Sequence, residues 1–296
     1  MLQGFVPYPP EFAARYRARG YWQDKSLAQE FNAVYARFSD RTALVDGDVS
    51  LSYADLDRLS TNLALNLLEI GLQPLDRVVP TLPNVHEFVV LYFALQKIGA
   101  IPIAALVTHR YAEISQFVHL SGATTCVYPD VMGDFHFSPV IDRVAAENTA
   151  LRIRIVLGQA KPGEHSLREL IDRPAQLPAS RLAEIAIDPT DPCIFQLSGG
   201  TTGIPKLIPR TNNDYAYNSK VAAEVTEITA DSTLLLVLPI AHNLPLACPG
   251  IQGFLFKGAK VVLHGNTKPV EMFALIEKHK VTHLKVVPAL LIRLIN

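Results

Sequence analysis

The sequence predicts an α/β fold with mostly parallel sheets. Three observations carry that expectation. Segments with apolar residues at helical spacing alternate with short apolar runs. Several of those runs are rich in β-branched residues and bounded by Gly, Pro or Asp, as buried strands are. The helical segments also carry start signals, and two of them end at a glycine.

The elements follow in order. Ser52, with Asp55 three residues later, reads as a capping box. Leu56, Leu59, Leu63, Leu67 and Ile70 then repeat at helical spacing until Gly71. The run 76–79 reads as a strand that Pro80 either ends or confines to a sheet edge, because proline has no N–H for the ladder. Asn84 and Glu87 open a second helix with Phe88, Leu91, Leu95 and Ile98 on one face and Gly99 after it. Thr108 is the expected cap of a third, carrying Ile114, Phe117 and Leu120. Further strands are expected at 125–128, 153–157, 193–197, 234–238, 260–263 and 281–287. Residues 159–189 are mostly polar with several prolines, and read as an irregular connection between two lobes.

Composition excludes several function classes. The 296 residues are 49% hydrophobic and 19% charged, which rules out a disordered tail. A net charge of −1 leaves no electrostatic footprint for nucleic acid. No apolar run is long enough to span a bilayer, and no signal peptide is legible, so no membrane partner is expected. Cys126, Cys193 and Cys248 are too few and scattered for a disulfide framework, and a reducing cytoplasm is the expected setting. Cys126 and Cys193 fall in expected strands and read as core thiols. No two histidines have metal-site spacing, and no metal ligand is assigned in this chain. His109 reads as a helix-start residue, with a place facing the aryl site as the alternative, and His264, His279 and His283 read as solvated or strand-end positions.

The strongest chemical signal is Ser198-Gly199-Gly200-Thr201-Thr202-Gly203-Ile204-Pro205-Lys206, directly after the expected strand ending at Leu197. Three glycines permit a tight path with N–H groups turned outward. Three hydroxyls and one lysine add donors and charge, as a polyphosphate cradle requires. It is not a P-loop, since two residues separate Gly203 from Lys206. A second cluster, His242, Asn243 and Cys248, lies in the loop after the expected strand 234–238, at the carboxyl end where α/β sheets place ligands. A flat ring, an amide and a soft thiol suit a small aromatic ligand with one polar ortho group. Equally, His242 and Asn243 read as satisfying backbone groups of their own loop.

The glycine-rich segment resembles the phosphate-binding signature of the adenylate-forming superfamily. Its flanks, Gln196-Leu197 before and Lys206-Leu207-Ile208-Pro209-Arg210-Thr211 after, resemble the aryl-acid branch, the salicylate and 2,3-dihydroxybenzoate AMP ligases of siderophore synthesis. Pro9 to Phe12, Tyr16, Gly20, Tyr21 and Trp22 add to that resemblance. Leu51-Ser52-Tyr53-Ala54-Asp55-Leu56 and Leu82-Pro83-Asn84 with Ala94-Leu95, Gly99-Ala100 and Pro102 resemble the superfamily's first two core motifs. Two positions depart from the pattern: Asn212, where many relatives have His, and Pro80, where relatives have an aliphatic residue.

The resemblance implies two packed α/β lobes of an adenylating N-terminal domain. One lobe would hold about residues 75–215, and the other 20–70 with 216–296. It implies ATP and Mg²⁺, an aryl acid, and an aryl carrier protein as partner. Ser198, Gly199, Gly200, Thr201, Thr202, Gly203 and Lys206 would hold the phosphates. His242 and Lys206 would be catalytic, and His242, Asn243 and Cys248 would bind the acid. Asn243 would take the ortho hydroxyl, and Cys248, where dihydroxybenzoate enzymes typically carry Ser, favours salicylate. The chain stops within the apolar segment 287–296. It is therefore expected to be an N-terminal piece, inactive alone, with the family's Mg²⁺ carboxylate beyond Asn296. An aryl-CoA ligase of the same fold and an inactive ligand-binding remnant are the alternatives, with a P-loop NTPase a distant third.

Overall fold

Local start and stop signals set the element order in the computed structural model, which describes residues 2, 4–198 and 205–296. Helices α1 (Pro10–Ala18) and α2 (Leu27–Phe38) precede an antiparallel hairpin of β1 (Thr42–Asp46) and β2 (Val49–Ser52). Helix α3 (Tyr53–Glu69) starts at a reciprocal cap. The Asp55 N–H donates to Ser52 Oγ at 3.0 Å, and the Ser52 N–H donates to Asp55 Oδ2 at 3.1 Å. This is the capping box expected from the sequence.

Then come β3 (Arg77–Pro80), α4 (His86–Ile98), β4 (Ile101–Pro102), α5 (Tyr111–Ser121) and β5 (Thr125–Pro129). A short hairpin, β6 (Val131–Met132) with β7 (Phe135–His136), leads to α6 (Ser138–Glu147), β8 (Ile153–Leu157) and β9 (His165–Ser166). Helices α7 (Leu167–Asp172) and α8 (Ser180–Ala183) precede β10 (Pro192–Ser198) and β11 (Lys206–Thr211). The last stretch holds α9 (Asn212–Val225), β12 (Thr233–Leu236), α10 (Asn243–Leu246), α11 (Gly250–Phe256), β13 (Lys260–Leu263), α12 (Pro269–His279), β14 (His283–Leu284) and α13 (Pro288–Ile295).

The chain divides into two compact units. The first holds the chain up to Gln29, Arg58–Leu82 and Glu87–Asp214. Its sheet runs β4-β3-β5-β8-β9, and every pairing is parallel. Its core packs Val79, Ile103, Phe117, Cys126, Tyr128, Phe137 and Ile141, all fully buried. The β10–β11 hairpin joins this unit, where the Ala104 N–H donates to the Phe195 carbonyl at 2.9 Å. The second unit holds Glu30–Asp57, Pro83–His86 and Tyr215–Asn296. Its sheet runs β14-β12-β13-β1-β2, parallel except for the β1–β2 hairpin. Both sheets are thus mostly parallel, as expected.

Several expectations are corrected. Residues 58–70, expected with the second lobe, belong to the first unit, because α3 packs against the 167–177 segment. Asn62 and Asn66 on α3 donate to the carbonyls of Ile171 and Leu170 at 2.7 and 2.9 Å. The stretch 159–189 does not join two lobes. It lies wholly inside the first unit and contains β9, α7 and α8. Of the two outcomes expected for β3 the first holds: it ends at Pro80 and is not an edge, since β4 and β5 flank it. Proline is tolerated as the last residue because the next N–H, that of Thr81, makes the bond to the Val127 carbonyl at 2.8 Å. Thr108 does not cap α5. The helix starts after Arg110, whose N–H donates to Glu113 Oε2 at 3.0 Å. The expected strand 281–287 shrinks to His283–Leu284 on the sheet edge, with β12 as its one partner.

Candidate active site

The glycine-rich segment is described only at its ends. Gly199, Gly200, Thr201, Thr202 and Gly203 lie outside the described residues. Ser198 closes β10 and Lys206 opens β11, and the two are partners across the ladder. Lys206 is exposed and Ser198 half-buried. The expected strand before the loop is present, but it is half of an antiparallel hairpin. Seven residues separate Ser198 from Lys206, enough to reach an antiparallel partner, whereas a parallel one needs a crossover of about a dozen residues. Below the loop, Arg210 pairs bidentately with Asp214, Nε to Oδ2 at 2.5 Å and Nη2 to Oδ1 at 3.2 Å. Asn212 is buried. Its carboxamide accepts from the Leu27 N–H at 3.0 Å and donates to the Asp191 carbonyl at 3.1 Å, so it locks the first unit internally.

The second cluster is built in the second unit, on the loop leaving the carboxyl end of β12. Asn84, expected to open α4, instead ties this loop down. Its Nδ2 donates to the carbonyls of Leu238 at 2.9 Å and His264 at 3.2 Å, and its Oδ1 accepts from the Ile240 N–H at 2.9 Å. Helix α4 therefore starts at His86. The chain then tightens into α10. The Asn243 carbonyl accepts from the N–H groups of Ala247 at 2.9 Å and Cys248 at 3.0 Å, which brings Asn243 and Cys248 together. Gly250 is required where the loop enters α11. Its φ is 28°, and a Cβ there would sit 2.1 Å from the Pro245 carbonyl oxygen. A Cβ on Gly253 would likewise sit 2.6 Å from Pro249 Cβ.

Three side chains define the chemistry of this loop. Asn243 Oδ1 is buried and has no hydrogen-bond partner among the described residues. A buried acceptor left unpaired costs roughly 1–3 kcal/mol, and a donor brought by a ligand offsets it. His242 is exposed over part of its ring, and burial of the rest lowers its pKa from the ordinary imidazole value, so it is neutral at pH 7. Cys248 is a free, half-buried thiol. Among the described residues, no backbone group of the loop is partnered by the Asn243 side-chain oxygen.

Other candidates resolve into packing. Cys126 and Cys193 are buried core thiols, and burial pushes the Cys126 thiol up to about 12. His109 Nδ1 accepts from the Leu106 N–H at 2.9 Å, and its ring meets Phe117 edge-on at 5.1 Å, so it closes a turn in the first unit. Among the described residues, no helix is long and apolar enough to cross a membrane. Sequence reasoning missed the role of Asn84, whose only signal was its place in the Leu82-Pro83-Asn84 motif.

Comparison with known proteins gives a consistent answer. The chain is 42% identical to triostin synthetase I of Streptomyces triostinicus, over 98% of this chain and 53% of that protein. It is 40% identical to the salicyl-AMP ligase / salicyl-S-ArCP synthetase of Mycobacterium tuberculosis, over 98% of this chain and 51% of that protein. The fold superposes on the apo structure of Mycobacterium smegmatis MbtA with a TM-score of 0.90 at 40% identity, covering 97% of this chain and 53% of that one. The chain spans about half the length of the curated relatives it matches. The AMP-binding enzyme model matches residues 31–296, nearly the whole of both units, and the chain belongs to that family.

Proposed function

We propose that the chain is part of an aryl-acid AMP ligase that activates salicylate, in preference to 2,3-dihydroxybenzoate, for siderophore biosynthesis. The observation that carries this reading is the buried, unpartnered Asn243 Oδ1 beside Cys248, on a loop at the carboxyl end of β12. An acceptor in that position suits the hydroxyl ortho to the acid's carboxylate. The relative named salicyl-AMP ligase / salicyl-S-ArCP synthetase supports both halves of the reaction.

In the first half, the aryl carboxylate attacks the α-phosphorus of ATP, giving the aryl adenylate and pyrophosphate. Such attack needs placement and charge neutralisation more than covalent help. Ser198 and Lys206, fixed opposite each other, would flank the β- and γ-phosphates with the glycines and threonines between them. Lys206 would supply positive charge, and Mg²⁺ bound with ATP would supply more. A neutral His242 would orient the carboxylate without competing for it as a cation. In the second half, the phosphopantetheine thiol of an aryl carrier protein takes the acyl group and releases AMP. Three free thiols and no disulfide among the described residues suit a reducing compartment, and we assign the enzyme to the cytoplasm.

Cys248 would set selectivity at the neighbouring ring position. A thiol is a weak hydrogen-bond partner and bulkier than a hydroxyl, so it suits a ring bearing hydrogen there. An unpaired substrate hydroxyl would cost roughly 1–3 kcal/mol, about one to two decades of preference. Since the chain spans half the length of its relatives, binding is the direct test. Isothermal titration with a salicyl-adenylate analogue should show saturable binding, and Cys248→Ser should move the ratio of affinities toward 2,3-dihydroxybenzoate. No binding by the wild-type protein refutes the aryl-acid reading, and an unchanged ratio in the variant refutes the role of Cys248.

A further inference from the structure

Lys285 directly follows β14, the edge strand whose His283 and Leu284 pair with Leu234 and Leu235 of β12. The loop bearing Asn243 and Cys248 leaves the same, carboxyl end of β12. Alternation along the chain decides which way Lys285 faces. Leu284 and Val286 pack into the cluster of Leu235, Val237, Met272 and Leu290. His283 lies on the other face, where its ring meets Phe254 of α11 edge-on at 5.1 Å. Lys285 shares the face of His283, the side on which α11 begins two residues after Cys248.

The electrostatics agree with that placement. Burial lowers the Lys285 pKa, and the one group that opposes this is the Cys248 thiol. No carboxylate pairs with Lys285 among the described residues. A half-buried amine without an acceptor and a buried amide oxygen without a donor therefore flank the same cysteine. The Cys248 N–H donates to the Asn243 carbonyl at 3.0 Å, which keeps Asn243 beside the cysteine. Among the described residues neither group has a protein partner, and for the buried Oδ1 that is costly.

We propose that Lys285 is a specificity-determining residue that donates to the ortho oxygen of the acid, restricting substrates to ortho-hydroxy aryl acids. The proposal rests on the aryl-acid reading above and deepens it. An ortho hydroxyl is both donor and acceptor. It gives its proton to Asn243 Oδ1 and takes one from Lys285 Nζ, so one substrate atom satisfies both orphans. Benzoate offers neither function. The ortho amine of anthranilate donates, but its lone pair is delocalised into the ring and accepts poorly.

The test is a panel of salicylate, benzoate and anthranilate titrated calorimetrically into the wild-type protein and Lys285→Met. Methionine keeps the length and apolar stem of the side chain and removes the donor. Salicylate affinity is expected to fall about tenfold, with benzoate and anthranilate unchanged. An equal loss for all three acids shows a merely structural lysine and overturns the proposal, as does an unchanged salicylate affinity. A measurement on the wild type needs no variant: the Lys285 Nζ NMR signal should become protected from exchange with salicylate and not with benzoate. The same protection with both acids overturns the proposal. If the wild type binds none of the three acids, the aryl-acid reading itself fails and takes this inference with it.

Discussion

Burial of part of the His242 ring disfavours its charged form, so its folded pKa lies below the 6.5 of an ordinary imidazole. Between the two values the unfolded chain binds more protons than the folded one. The stability contribution is therefore complete above about pH 6.5 and is lost as pH falls toward the folded pKa. An NMR titration should give His242 a midpoint below 6.5, and His242→Gln should flatten the acid limb of the stability curve in that window. A midpoint above 6.5 would mean that the ring gains an anionic neighbour absent here. Gly250 makes a sharper case. Gly250→Ala drives a Cβ into the Pro245 carbonyl oxygen and should cost roughly 3 kcal/mol, read as a lower urea midpoint. At this scale the sequence was informative where the chemistry is local. His242, Asn243 and Cys248 sit within one short loop, so their proximity could be read directly. Asn84 could not be read that way. Its hydrogen-bond partners Leu238 and His264 are 154 and 180 residues away, and it looked like a helix cap.

Elements with reciprocal caps declared themselves. Ser52 and Asp55 exchange hydrogen bonds, and Ser52→Ala should destabilise the protein by about 1 kcal/mol, measured by chemical denaturation. Asp55→Asn, which keeps an acceptor, should cost less. Helix α9 shows why other elements stayed hidden. Its buried face is made of Tyr215, Ala216, Ser219 and Ala223, small or polar residues that leave no apolar stripe. Ser219 Oγ spends its hydrogen on the Tyr215 carbonyl at 3.0 Å, a partner invisible in the periodicity. Strand β14 erred the other way. Seven residues rich in Val and Leu looked like a buried strand, but on the edge only two residues pair, and the segment then turns into α13 at Pro288. The hairpin β10–β11 was half legible. Its first strand was plain, while Pro209 within β11 concealed the return strand.

For the molecule as a whole, parallel α/β architecture followed from alternating periods, but the division into units did not. Each unit is assembled from separated stretches, and α2 and α3 each begin in one unit and end in the other. No composition shift marks such a boundary. A cut in the exposed turn around Glu227 and Asp231 should not release a unit. β12, β13 and β14 on one side of the cut remain paired to β1 on the other. The two pieces should co-elute under native conditions and separate in urea, and dissociation without denaturant would contradict the sheet order. The pairing of β1 with β13, Leu44 with Val261 and Asp46 with Leu263, also sets a timetable. At ordinary rates of translation the ribosome takes roughly 10–40 s to get from one strand to the other. During that interval the β1–β2 hairpin has one edge with no neighbour, and holding it soluble falls to whatever shields nascent chains.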